Sequence, residues 1–197
     1  MEQKARESLE RSNLYGLLSI IFKKEATSQL IERIRNSEIS RVLGESEIQL
    51  YDMPENEILP KLAVEYTMLF LGPGKHISPH ESVHRNGKGL LYGDSTLDVK
   101  KFYKNCDFVL SPLYKGIPDH IAVELEFMQH LAKRESTSWK ERNRDKAMKF
   151  QRMQKRFLSE HLNKWVSAFC EKVEMRAELS FYKGFAKLTK QFIESEI

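Results

Sequence analysis

The chain has 197 residues, 30% of them charged and 41% apolar, with 32 Lys and Arg against 28 Asp and Glu for a formal net charge of +4. Nine glycines and six prolines are few for such a length, so the balance favours one helical domain with a real core over a β-sandwich or a disordered chain. The two cysteines, Cys106 and Cys170, lie far apart without metal-ligand spacing and read as reduced thiols of a cytoplasmic protein.

In chain order, the first element expected is a helix from Gln3 to Lys23, where apolar residues recur at steps of three and four. Its apolar run LYGLLSIIF has the length of an export-signal core. Acidic residues precede it, however, and Lys23, Lys24 and Glu25 follow where small cleavage-site residues belong, so it reads as core helix. No run reaches the roughly 20 apolar residues that span a bilayer, and no stable membrane insertion is expected. Further helices are expected over Thr27 to Asn36, Glu38 to Tyr51, Glu55 to Leu71 and Ser95 to Asn105, with Pro54 well placed ahead of the third of these and Pro60 inside it. Between the last two lies the one long irregular stretch, Gly72 to Ser95, with five of the nine glycines. It reads as a functional or mobile loop through which helices cannot run, with Asn86-Gly87 suited to a hairpin turn. The remaining periodic segments place helices over Asp119 to Arg134, Ser138 to Ser159, His161 to Arg176 and Glu178 to Glu194. The expectation is an all-α fold of about nine helices in a single domain, 1–197.

GIPDHIAVELEFM carries the candidate chemistry. Pro118 and Asp119 make a helix start, with the Asp119 carboxyl placed to cap free N–H groups. At about 100° per residue, Ile121, Leu125, Met128 and Ala132 form the buried stripe, and His120, Glu124 and Phe127 sit on its shoulder, where polar groups can border a groove. A capping histidine with a structural hydrogen bond is the plainer reading of His120. His76, His80 and His84 recur at spacings of four, but nearby prolines and glycines deny them a helical frame, so no metal is expected. The segment from Trp139 to Arg156 is rich in Lys and Arg. With so modest a net charge and no interleaved aromatics, it reads as the solvated face of an amphipathic helix, and no nucleic-acid partner is expected. No phosphate loop, dinucleotide fingerprint, nucleophile elbow or HExxH occurs, so neither a cofactor nor an enzymatic activity is expected.

Three blocks taken together resemble the TorD/DmsD family of cytoplasmic redox-enzyme maturation chaperones, to which NarJ-type assembly proteins are related more distantly. They are RSNLYGLLSIIF, the central EYTMLFLGPG, PHESV and PDHIAVELEFMQHL in order, and the closing FLSEHLNKWVSAFCEKVEMRAELSFYKGFAKLTKQFI. The resemblance implies a TorD-like helical fold and a non-catalytic cytoplasmic chaperone that binds the twin-arginine leader and catalytic subunit of a molybdopterin-dependent oxidoreductase precursor until its cofactor is inserted. Carried over residue by residue, the peptide-binding motif falls on Pro118, Asp119 and His120. Tyr66, Phe70, Gly72, Pro73, Gly74, Pro79, Glu81 and Ser82 support it from the facing helix and loop. Many relatives place an acidic residue before the proline and one more residue before the Asp-His pair, whereas Gly116-Ile117 stands here. Such a leader needs carboxylates at the rim of an apolar groove, with Asp119, Glu124 and Glu81 as candidates for the first and Phe70, Phe127 and Met128 for the second. A homodimer formed by segment exchange stays open, and the alternatives are a NarJ-type assembly chaperone for a membrane-associated reductase and a basic-helix nucleic-acid binder.

Overall fold

The computed structural model describes residues 1–36, 54–72, 74–85 and 89–196. The helix expected over Glu38 to Tyr51, the turn at Asn86-Gly87 and Pro73 therefore lie outside the described residues. Within them are nine α-helices: α1 (Glu2–Lys23), α2 (Ser28–Arg35), α3 (Glu55–Tyr66), α4 (Glu81–Arg85), α5 (Asp94–Asn105), α6 (Ile121–Lys140), α7 (Arg144–Glu160), α8 (Val166–Arg176) and α9 (Ser180–Ser195). A π-helical turn, Thr67–Leu71, extends α3, and a 3-10 turn, Leu162–Lys164, leads into α8. The all-α fold holds. The sole β-type pairing among the described residues is an isolated antiparallel bridge between His80 and His120.

α6 is the central element, packed along α1 on one side and α7 on another. Its contact with α1 is close because small residues face it. Ser12 Oγ donates to Gln129 O at 3.1 Å, Ser19 Oγ to Ala122 O at 2.7 Å, and from the other side Ser136 Oγ donates to Ala5 O at 2.6 Å. A Cβ on Gly16 would meet the end of the Gln129 side chain, which would have to swing aside. Buried serines that return their hydroxyls to a neighbouring helix's carbonyls avoid the cost of an unpaired polar group. Two aromatic clusters fill the core. Phe22, Tyr66, Phe70, Phe169 and Tyr182 form one, with Tyr66 and Phe70 centroids 5.1 Å apart. Phe102, Tyr103, Phe108, Phe127 and Phe157 form the other, Phe127 standing 4.8 Å from both Tyr103 and Phe157.

Two expected boundaries are corrected. α6 does not end at Arg134 but runs on through Ser136, Thr137 and Ser138 to Lys140. Thr137 and Ser138 bond their hydroxyls back to the carbonyls of Lys133 and Arg134, which lets the helix carry them. The break falls at Arg142, whose φ of 57° lies in the left-handed region, and α7 restarts under an Asn143 side-chain cap on Lys146 N. The stretch from Gly72 to Ser95 is also not free of helix, since α4 forms within it.

Candidate functional site

The segments 77–80 and 117–121 meet edge to edge. Glu81 N donates to Asp119 O at 3.0 Å and Ile121 N donates to Pro79 O at 2.8 Å, so the PHES and PDH stretches are locked together by backbone bonds on either side of the His80 and His120 bridge. Tyr103 and Tyr114 hold the approach, donating their hydroxyls to Pro118 O at 3.2 Å and Ile117 O at 3.0 Å. The two imidazoles stand edge to face with centroids 5.0 Å apart.

Asp119 was expected to cap α6 from a groove rim, and the structure corrects that. His120 is the α6 cap, its Nδ1 accepting from Ala122 N at 3.1 Å. Nδ1 therefore carries the lone pair, and burial, followed by the neighbouring His80 and Lys23, pushes the His120 pKa down to about 3. Asp119 is wholly buried and turns to α4 and α5, its Oδ2 accepting from Ser82 N at 2.8 Å and Thr96 Oγ1 at 2.9 Å. It is a tie between three helices. Its other oxygen has no partner among the described residues.

Beneath lies a second buried polar group. Glu81 accepts from Arg85 Nη1 at 2.6 Å and from His161 Nδ1 at 3.1 Å. Glu124 Oε2 accepts from Trp165 Nε1 at 3.3 Å, while Oε1 meets no ordinary donor and the Glu124 side chain hydrogen-bonds Glu81. Two carboxyls in contact need one proton between them. Burial first, then the negative charge of Glu81, holds the Glu124 carboxyl well above the usual carboxylate range, so Glu124 is the group that keeps it and donates.

Expectation and placement thus divide. Pro79, Glu81, Ser82, Pro118, Asp119, His120 and Glu124 are brought together. Asp119, Glu81 and Glu124 are fully buried, however, and form no rim. Phe127 belongs to the core, not a shoulder, and Met128 is buried in the stripe as expected and so lines no groove, because α6 is covered by α1 on one side and by α7 and the aromatic rings on the others. Tyr66 and Phe70 lie in the separate Phe22 cluster. Gly72 ends the π-turn, its N–H donating to Thr67 O at 2.6 Å, and Gly74 is exposed with a φ of 113° that only glycine adopts without strain. His76, His80 and His84 come within electrostatic reach of one another, yet no cluster suited to a metal occurs among the described residues.

Sequence reasoning passed over an exposed apolar face. Val64, Met68 and Leu71, spaced four and three residues apart, are 61%, 61% and 64% exposed, while Leu62, Tyr66, Leu69 and Phe70 of the same segment are buried. Val64 and Met68 line a groove of about 570 Å³ with Pro60, Lys61, Glu65, Leu69, Arg176, Glu178 and Leu179. Glu65 Oε1 accepts from the N–H groups of Glu178 and Leu179, the latter at 2.8 Å, which fixes one wall to the start of α9. The signal was legible as a helix with apolar residues on more than one side of the Glu57, Lys61 and Glu65 stripe, which in a surface position leaves one apolar face without cover.

The family model described as nitrate reductase delta subunit matches residues 28–171, most of the chain. The chain belongs to that family. Among similar proteins of the nitrate reductase delta subunit family are the chaperone protein TorD of Shewanella oneidensis, 25% identical over 94% of this chain and 88% of that protein, and TorD of Vibrio atlanticus, 26% identical over 95% and 96%. A crystal structure from Archaeoglobus fulgidus, of a protein named for redox enzyme maturation, superposes with a TM-score of 0.61 at 25% identity over 93% of both chains. The relatives are named chaperones, and this member of the nitrate reductase delta subunit family is a TorD-type chaperone with no catalytic role. No described helix is long and apolar enough to cross a membrane.

Proposed function

We propose that the protein is a chaperone of redox-enzyme maturation that binds the twin-arginine leader of a molybdopterin-dependent oxidoreductase precursor, delaying export until the cofactor is in place. The observation that carries this reading is the exposed Val64, Met68 and Leu71 face beside a groove whose rim carries the exposed Glu178 carboxylate, with Lys61 and Arg176 also lining it. An apolar leader segment fits the first and guanidinium groups fit the second. The π-turn that closes α3 supports a functional face, since such turns recur at working sites in proteins. In this reading Asp119, Glu81, Ser82 and Glu124 act by fixing the 77–85 segment against α6, and Pro118 and His120, both half-buried, are the motif residues proposed to meet the leader.

The test is calorimetric titration with a synthetic leader carrying an arginine pair before an apolar stretch. Val64→Asp and Met68→Asp each alter an exposed side chain, so folding should be unaffected and leader affinity should fall tenfold or more. Unchanged affinity in both variants refutes the groove. Salt should have a modest effect, because exposed charge pairs are screened over roughly 10 Å at 0.1 M while the apolar contact persists.

The family description favours a second reading, assembly of a nitrate reductase catalytic subunit of the membrane-associated kind. Capture of a client subunit lacking any twin-arginine leader, with no affinity for the leader alone, would select it.

A further inference from the structure

A second cavity, of about 480 Å³, is lined by His76, Ile77, Ser78, Val83, His84, Gly89, Leu91, Lys172 and Arg176. Its lining has no carboxylate. Lys172 and Arg176 stand one turn apart on α8 and so share a face, while His76 and His84 arrive from the segment before α4 and from α4 itself. Three separate pieces of chain therefore aim nitrogen at one space. Among the described residues neither Lys172 nor Arg176 is ion-paired, although Lys190 on the adjoining helix holds Glu171 at 2.6 Å.

His84 makes this more than a basic surface. Its ring stacks on Trp165 with centroids 5.3 Å apart and meets Phe169 edge-on, so it is held rigidly. Nε2 lies 2.8 Å from Ser78 O, a carbonyl that can only accept, so Nε2 bears the proton. Nδ1 then presents its lone pair to Lys172 Nζ, 3.4 Å away. Burial and the Lys172 charge both hold the imidazole pKa down. An ammonium and a guanidinium thus crowd one cavity whose own lining holds no carboxylate, beside two imidazoles. Such crowding costs free energy that a small anion would relieve.

We propose that this cavity is a binding site for a phosphate-class oxyanion, held by Lys172, Arg176 and the His76 imidazole, while His84 accepts from Lys172 and so positions its ammonium. A tetrahedral dianion has enough oxygens to accept from a lysine, an arginine and a histidine at once, whereas a single peptide carboxylate has two and would leave donors unused. The site is separate from the leader groove except at Arg176, which lines both. Lys172 is therefore the clean probe.

Titration of the full chain with inorganic phosphate and with sulfate, against chloride at equal ionic strength, should show saturable one-to-one binding of the two oxyanions that chloride does not displace. Lys172→Met and Arg176→Met should each weaken it tenfold or more, and Lys190→Met should leave it unchanged. In the wild-type protein, amide shifts on phosphate addition should centre on 76–84 and 172–176. Lys172→Met should leave leader affinity intact, so failure here is distinguishable from failure of the leader reading. The proposal is overturned if neither oxyanion saturates, if both Met variants bind as the wild type does, if the shifts fall on the basic face of α7, or if an acidic peptide binds where phosphate does not.

Discussion

Replacing Glu124 by Gln should change how stability depends on pH more than it changes stability itself. Glu124 is wholly buried, bonded to Trp165 through one oxygen and in contact with Glu81 through its side chain. Glutamine reproduces both contacts, its carbonyl accepting from Trp165 Nε1 and its amide donating to Glu81. The sign follows from linkage. The folded-state pKa of Glu124 is raised, so the wild-type fold keeps a proton that the unfolded chain releases above about pH 4.3. Wild-type stability is therefore fully present below that pH and is lost as pH rises toward the folded pKa, at about 1.4 kcal/mol per pH unit for one proton. Glu124→Gln removes this loss. Between about pH 5 and pH 7 the variant should therefore gain stability relative to the wild type, by at most about 1.4 kcal/mol per pH unit. Urea unfolding followed by circular dichroism at the two pH values measures it. An identical difference between variant and wild type at both values would mean that Glu124 is ionised in the fold and that the proton assignment is wrong.

Asp119→Ala should cost about 2–4 kcal/mol, well beyond the loss of a helix cap, because it strands the buried Ser82 N–H and Thr96 hydroxyl; a melting temperature within a degree of wild type would refute that placement. The His120 ring should show flat carbon-bound proton shifts from about pH 5 to pH 8, since its pKa lies near 3. A His whose folded pKa is lowered adds stability above its unfolded value, about 6.5, and loses it as pH falls, so His120→Ala should cost about 1 kcal/mol near pH 7 through the lost cap and less near pH 5. Purified protein should carry no stoichiometric metal by elemental analysis, and one zinc or iron per chain lost on replacing His76 and His80 would overturn the reading of the loop histidines.

Local pattern was enough to find the described helices other than α4, which forms inside the stretch read as irregular. Pro54 ahead of α3 and the apolar periodicity of α6 depend on residues a few positions apart, and such signals survive in a single sequence. The order of EYTMLFLGPG, PHESV and PDHIAVELEFM also pointed to the family. Which side of α6 met water was not legible. Glu124 and Phe127 lie on a shoulder only if the helix has one covered side, and the serine-lined contact with α1 together with α7 and Phe157 covers the rest. Asp119 likewise had a local role on offer, capping its own helix, but tertiary pairing with the Pro79 segment gave that role to His120 and turned the carboxyl toward Ser82 and Thr96. Burial is a property of what packs from afar, so the sequence determined the helices and their chemistry, while only the assembled core decided which carboxyls are sealed inside and which apolar side chains, Val64, Met68 and Leu71, are left facing out.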